Sequence, residues 1–212
     1  MARLIIAIDT SHNKRYSCVV SGNMNELDIL YKSIDTVLVK HNQKGPFHWR
    51  KLRKNVRISA KKELYELLNS SKLHFNIFEH KFPSNISSKD FFLKHIPNLV
   101  SGSLDKWLEG KGGVVLLHVD KDYVVKGIER STEKFTENLI RRLCERLVGP
   151  VTIRRDKDIL ATIKQFNGNI LNFIGSVSSR NLSKGIQIAD LVLGYYLFDR
   201  SDLENKVYFK RI

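Results

Sequence analysis

A chain of 212 residues, 42% apolar and 27% charged, has the composition of an ordinary folded protein and enough apolar mass for one large core, which excludes the disordered class. Its 36 lysines and arginines against 22 acids leave a formal charge of +14, a balance that favours a polyanionic partner such as RNA or DNA. Cys18 and Cys144 form neither a CxxC pair nor a disulfide framework, Leu4–Ile8 is too short for a signal-peptide core, and no stretch approaches the ~18–20 apolar residues of a membrane span, so the expectation is a cytoplasmic protein with no membrane partner.

Arg3–Asp9, apolar and β-branched almost throughout, reads as a central strand, and Tyr16–Ser21 as a second strand across the polar loop Thr10–Arg15. Leu27, Leu30, Tyr31, Ile34 and Leu38 space a helix over Leu27–Val39, and Gly45-Pro46 breaks what precedes it. Val56–Leu68 predicts a helix with Leu64, Leu67 and Leu68 on one face and lysines on another. Leu73–Phe82 alternates as a strand, and Phe91–Leu108 predicts a helix interrupted near Pro97. Val114–Val119 is a buried-type strand after Gly112-Gly113. Ser131–Val148 has the clearest helical period, through Phe135, Leu139, Leu143 and Leu147, and Gly149-Pro150 stops it. Val151–Arg154 and Ile170–Ile174 read as strands, and Lys184–Phe198, apolar nearly all round, as a helix buried between layers. Strands alternating with helices, without linker or repeat, predict a single α/β domain over residues 1–212.

Three aspartates stand out against this background. Asp9 closes the first strand, Asp120 closes Val114–Val119, and Asp190 lies inside the apolar helix. An ionised carboxylate is costly to desolvate, so acids in such places are paired, at an element's end, or on a metal. Each has a plainer reading as well: Asp9 as a turn residue before Thr10-Ser11-His12-Asn13, Asp120 or Asp122 as a turn residue, Asp190 as an acid near a helix start. Gln187, Asp190 and Gly194 fall on one helical face, where Gly194 would allow close approach to the sheet.

The basic excess is concentrated. Lys44, Arg50, Lys51, Arg53, Lys54, Arg57, Lys61 and Lys62 follow one another with no acid between them, around Phe47, His48 and Trp49. Cations neutralise phosphates and exposed rings stack on bases, so Lys14, Arg15, His48, Trp49, Arg50, Lys51, Arg53, Lys54 and Arg57 form the expected nucleic-acid contact set. The alternative is a solvated face with Trp49 tucked into the core. No Walker loop, GxGxxG, HExxH or GxSxG is present, which gives no support to nucleotide, zinc or serine chemistry.

The run Gly185-Ile186-Gln187-Ile188-Ala189-Asp190-Leu191-Val192-Leu193-Gly194 resembles the C-terminal Gln-x-Ala-Asp helix of the domain of unknown function 3800 family, a ribonuclease H-like group. Asp9 with Ser11 falls where that family carries an Asp-Glu-Ser-Gly turn, Phe47-His48-Trp49-Arg50-Lys51-Leu52 looks like its aromatic-basic segment, and Val119-Asp120 fits its central strand. The resemblance implies a ribonuclease H-like mixed sheet flanked by helices, in which a first strand, a central later strand and a late helix each deliver an acid to one edge. It implies Asp9, Asp120 and Asp190 as the catalytic acids. Hard carboxylate oxygens suit Mg²⁺ or Mn²⁺, Asp122 is the candidate fourth ligand, and His12 or His48 is placed to assist proton transfer. Thr10 stands where the family has Glu, His12 where it has Gly, and Gly45-Pro46 where an acid precedes Phe47. Two readings follow: a metal-dependent nuclease cleaving phosphodiester bonds in RNA or DNA, or a catalytically degenerate nucleic-acid-binding protein, RNA- or ribosome-associated, on the same fold.

Overall fold

The computed structural model describes residues 2–11, 14–44, 46–81, 87, 90, 95–104, 113–120, 152–156, 159–166, 169–178, 183–198 and 207–211. They build a mixed sheet with helices packed against it, an α/β arrangement. β1 (Ala2–Thr10) lies inside the sheet, antiparallel to β2 (Tyr16–Asn23), which is in turn antiparallel to β3 (His74–Glu79). On its other side β1 pairs in parallel with β4 (Gly113–Asp120). Beyond β4 come β7 (Asn169–Ser178), parallel, then β6 (Ile159–Phe166) and β5 (Thr152–Asp156), antiparallel in turn. β8 (Val207–Arg211) lies parallel to β3 at the opposite edge, so the order is β5-β6-β7-β4-β1-β2-β3-β8.

β1 is covered on both faces, which is why its apolar run does not alternate: Ile5, Ile6, Ala7 and Ile8 are all fully buried. The turn to β2 closes on Ser11, whose N–H donates to Tyr16 O at 2.8 Å and whose Oγ accepts the Tyr16 N–H at 3.0 Å. Ile5, Ala7, Cys18, Val20, Phe75 and Ile77 meet the helices in one cluster, while α4 (Ile96–Leu104) contacts β2 with Ile96, Leu99 and Val100 buried outside that cluster.

α1 (Met24–Lys40) buries Leu27, Leu30, Ile34 and Leu38, the spacing that predicts it. Asn23 caps its start by accepting the Asn25 N–H at 2.8 Å; Glu26 in the first turn and Lys40 in the last suit the helix dipole. Asn42, at φ 58°, supplies the left-handed residue that ends it. The helix expected over Val56–Leu68 is two, α2 (Lys54–Ser59) and α3 (Lys61–Ser70), joined at Ala60. The helix expected over Phe91–Leu108 is described as α4 over Ile96–Leu104, with Pro97 inside it. β6 and β8 are strands that the sequence reading did not anticipate. The helix expected over Ser131–Val148 lies outside the described residues, as does Asp122.

α5 (Lys184–Phe198) has the bounds its pattern predicts and is buried without a break from Gly185 to Tyr196. Each of its fully buried Ile and Leu side chains is worth roughly 1.5–3 kcal/mol. It crosses β1 and β2, and its first turn rests on the sheet: a Cβ at Gly185 would stand 2.5 Å from Ala7 Cβ. Ser183 caps the start by accepting the Ile186 N–H at 3.2 Å, and its hydroxyl also meets His118 Nδ1 of β4 at 2.9 Å. Lys184 pairs with Asp28 of α1 at 2.6 Å. No helix among the described residues is long and apolar enough to cross a membrane.

Candidate acidic site and basic segment

Asp9 is 1% exposed and lies on the face of Ile5 and Ala7, the face that α5 covers. Its register partner on β2 is Cys18. Asp190, 8% exposed, comes to the same place from α5. The Cys18 thiol is pushed well above the ordinary thiol range first by burial, then by the charge of Asp9 and then by that of Asp190. Two buried acids far apart in sequence thus lie on elements packed against each other, β1 and α5.

The third acid is placed by backbone register. Ala7 pairs with His118 and Ile8 with Val119 on the parallel strand, so the next step brings position 120 level with position 9. Among the described residues, no three His, Cys, Asp or Glu side chains form a group that would hold a metal ion.

α5 carries a second feature on this face. Gln187 Oε1 accepts the Phe47 N–H and the Tyr31 hydroxyl, both at 3.1 Å, and Asp190 Oδ2 accepts the Trp49 N–H at 2.6 Å. Two polar side chains in an otherwise apolar helix thus hold the main chain of residues 47–49 along it. Gly194 completes the track: a Cβ there would lie 2.8 Å from Trp49 Cδ1 and closer still to Cγ and Cδ2. Gly194 therefore receives an indole rather than the sheet; the close approach to the sheet is made by Gly185. His48 Nδ1 lies 3.2 Å from Asp190 Oδ2 and accepts the Arg50 N–H at 3.1 Å, capping the 3₁₀ turn Trp49–Lys51.

This arrangement corrects the role expected of Trp49. Its ring is 6% exposed, with Tyr195 edge-on at 4.6 Å, Phe198 stacked at 5.6 Å and the Arg57 guanidinium 4.6 Å over it. Phe47 is likewise buried, stacked on Tyr31 at 5.1 Å. Both rings are core, and neither offers a face to a base. The cations are different. Lys44, Arg50, Lys51, Arg53, Lys54 and Lys62 are exposed, and among the described residues no carboxylate pairs with any of them. Arg53 donates to the Asn42 carbonyl, and Arg57, partly buried, donates to the Arg50 carbonyl at 3.2 Å. Lys14, at φ 55°, sits in the β1–β2 turn beside Arg15, whose guanidinium pairs with Glu79 at 3.0 Å. His12 lies outside the described residues.

Comparison with known proteins yields no match: no family model, no curated protein and no solved structure is similar to this chain.

Several residues at the site carried no signal when the sequence was read alone. Cys18 is placed opposite Asp9 by the β1–β2 register, which is a non-local fact. The pairing of Gln187 with Phe47 and Tyr31 depends on which helix face meets which loop. A period of two was legible at 47–50: Phe47 and Trp49 turn inward while His48 and Arg50 are more exposed.

Proposed function

We propose that the chain is a metal-dependent nuclease on a ribonuclease H-like frame, cleaving phosphodiester bonds in RNA or DNA through Asp9, Asp120 and Asp190. The observation that supports this reading is the placement of two buried acids on facing elements: Asp9 on the face of β1 that α5 covers, and Asp190 on α5 itself. The layout supports it. An acid closes an interior strand, another closes the parallel strand beside it, and a third lies on the late helix that crosses them. The resemblance to the domain of unknown function 3800 family points the same way.

Carboxylate oxygens are hard donors, and acids gathered within so basic a chain suit Mg²⁺ or Mn²⁺. Asp9 and Asp190 would hold such an ion, with Asp120 as the third ligand its register position suggests. When bound, the ion supplies an activated water and charge stabilisation at the leaving oxygen. The chain's own groups do the remaining work. The exposed cations after Trp49 hold the phosphate backbone without reading sequence. His48, whose Nδ1 lies 3.2 Å from Asp190 Oδ2 and accepts the Arg50 N–H, would assist proton transfer through its other ring nitrogen.

A second reading, a non-catalytic nucleic-acid-binding protein on the same frame, is favoured by one observation: Asp190 already has a structural task in holding the Trp49 N–H. Cleavage of labelled single-stranded RNA, duplex RNA, RNA–DNA hybrid and DNA with Mg²⁺ or Mn²⁺ separates the two. The nuclease loses cleavage in Asp9→Asn and Asp190→Asn while keeping its binding. Binding without cutting by the purified wild type selects the second reading, and equal cutting by all three proteins removes the acidic set.

A further inference from the structure

We infer that the exposed ring of Phe198 is a base-stacking platform, which together with Arg50, Lys51, Arg53 and Lys54 binds a single-stranded polynucleotide. The inference rests on the nucleic-acid part of the reading above and is independent of its metal chemistry.

Phe198 ends α5 with 72% of its surface exposed, although the helix before it is buried without a break. Among the described residues its aromatic contact is Trp49, and most of the ring's apolar area is left open. It is also held in place. One side stacks on Trp49 at 5.6 Å with 28° between the planes. Trp49 is fixed in turn by Tyr195, by the Arg57 guanidinium and by its N–H to Asp190. Phe198 thus tops a rigid aromatic stack, and a flat ligand stacking on it would lose little freedom on the protein side.

The neighbourhood selects the ligand. Trp49 begins the 3₁₀ turn that continues into Arg50 and Lys51, and Arg53 and Lys54 follow, all four exposed in a stretch with no acid. A lone aromatic beside closely spaced cations matches a base followed by its phosphates. A duplex keeps its bases stacked on one another, so only a single strand can give one up to the ring. The eight residues from Asp190 to Phe198 span about 12 Å of helix, so a short strand seated on Phe198 also reaches the acidic end. The aromatic to which sequence alone points, Trp49, is therefore the support of the platform, and Phe198 is its surface.

The test is fluorescence-anisotropy binding in EDTA, where cleavage plays no part, using oligo-U RNA, oligo-dT DNA, an abasic strand of equal length and a duplex. Phe198→Ala should weaken binding of the single strands roughly 5- to 100-fold and leave the slope of log K against log salt unchanged. Phe198→Trp should restore it, and the abasic strand should not distinguish Phe198→Ala from wild type. The double variant Arg50→Ala/Lys51→Ala should instead flatten the salt slope by about 1.4. The RNA and DNA arms show which strand is preferred. Equal affinity of wild type and Phe198→Ala for every single strand, an equal loss on the abasic strand, or no strand binding at all would overturn the inference. Cleavage that fails while Phe198-dependent binding persists bears on the acidic set alone.

Discussion

Asp190 holds Trp49 by its main chain: Oδ2 of the aspartate accepts the Trp49 N–H at 2.6 Å, from inside a helix that is otherwise apolar around it. The bond fastens the start of the basic segment to the helix that carries Asp190. It also lets two roles of one carboxylate be separated. Asp190→Asn keeps an oxygen for the Trp49 N–H and removes the charge, so its stability should stay within about 1 kcal/mol of wild type. Asp190→Ala leaves that buried N–H without its acceptor and should cost about 1–3 kcal/mol. Urea unfolding measures both. On the proposed function each variant loses Mg²⁺-dependent cleavage; full cleavage by Asp190→Asn would reduce Asp190 to a clasp.

Gly194 is required by the same contact. Its missing side chain is what allows the Trp49 indole to lie on the helix, and the ring cannot retreat, because Tyr195, Phe198 and Arg57 surround it. Alanine is ordinarily the better helix former by about 1 kcal/mol. Here the added methyl group should reverse that gain and destabilise by about 1–3 kcal/mol, with a changed near-ultraviolet circular dichroism from the displaced indole. A Gly194→Ala protein as stable as wild type, with the same aromatic spectrum, would show that the stack is not packed as described.

How much of this was readable beforehand follows from how local each feature is. The unbroken apolar run of β1 and the all-round apolarity of α5 are written in consecutive residues, and both elements lie where the pattern put them. β8 carries Val207, Tyr208 and Phe209, but its identity as a strand depends on pairing with β3, which lies far away in sequence. Acids embedded in apolar runs marked Asp9 and Asp190 as unusual, whereas the packing of their elements, β1 and α5, against each other needs the fold. The acid-free run marked a surface correctly for Arg50, Lys51, Arg53 and Lys54 and misleadingly for Trp49, since a charge run says nothing about which way alternate residues face. Phe198 was hidden for the opposite reason: as the last apolar residue of a core helix it looks like core.

Cys18 reports on the acidic site without any assay of activity. The thiolate is the reactive form, and burial with two neighbouring carboxylates opposes it. In a Cys144→Ser background, native Cys18 should react with a thiol reagent at least ~10-fold more slowly than it does in urea. Asp9→Asn removes one opposing charge and should raise the native rate, whereas Asp28→Asn, on α1, should leave it alone. Rapid native labelling, or rates indifferent to Asp9, would contradict the burial of the thiol beside Asp9.

His80 sets the pH dependence of stability. It is 4% exposed, its Nε2 meets Ser17 Oγ at 2.7 Å, and burial, then the nearby His95, lower its pKa from 6.5 to about 4. The native ring stays neutral where the unfolded ring takes up a proton, so the unfolded chain binds more protons between pH 6.5 and about 4. The stability contributed by neutral His80 is therefore complete above pH 6.5, falls as the pH is lowered through that window and is gone below about 4. The full effect is on the order of 3 kcal/mol. His118, whose pKa burial also lowers, adds a loss of the same sign. Glu63, held below the ordinary carboxylate range by its hydrogen bonds to Lys40 and His41, loses its contribution only at lower pH than an ordinary carboxylate. Urea unfolding between pH 7.5 and 4.5 should show the decline in wild type and a shallower one in His80→Gln, which cannot charge. Superimposable profiles would mean that His80 does not control the window.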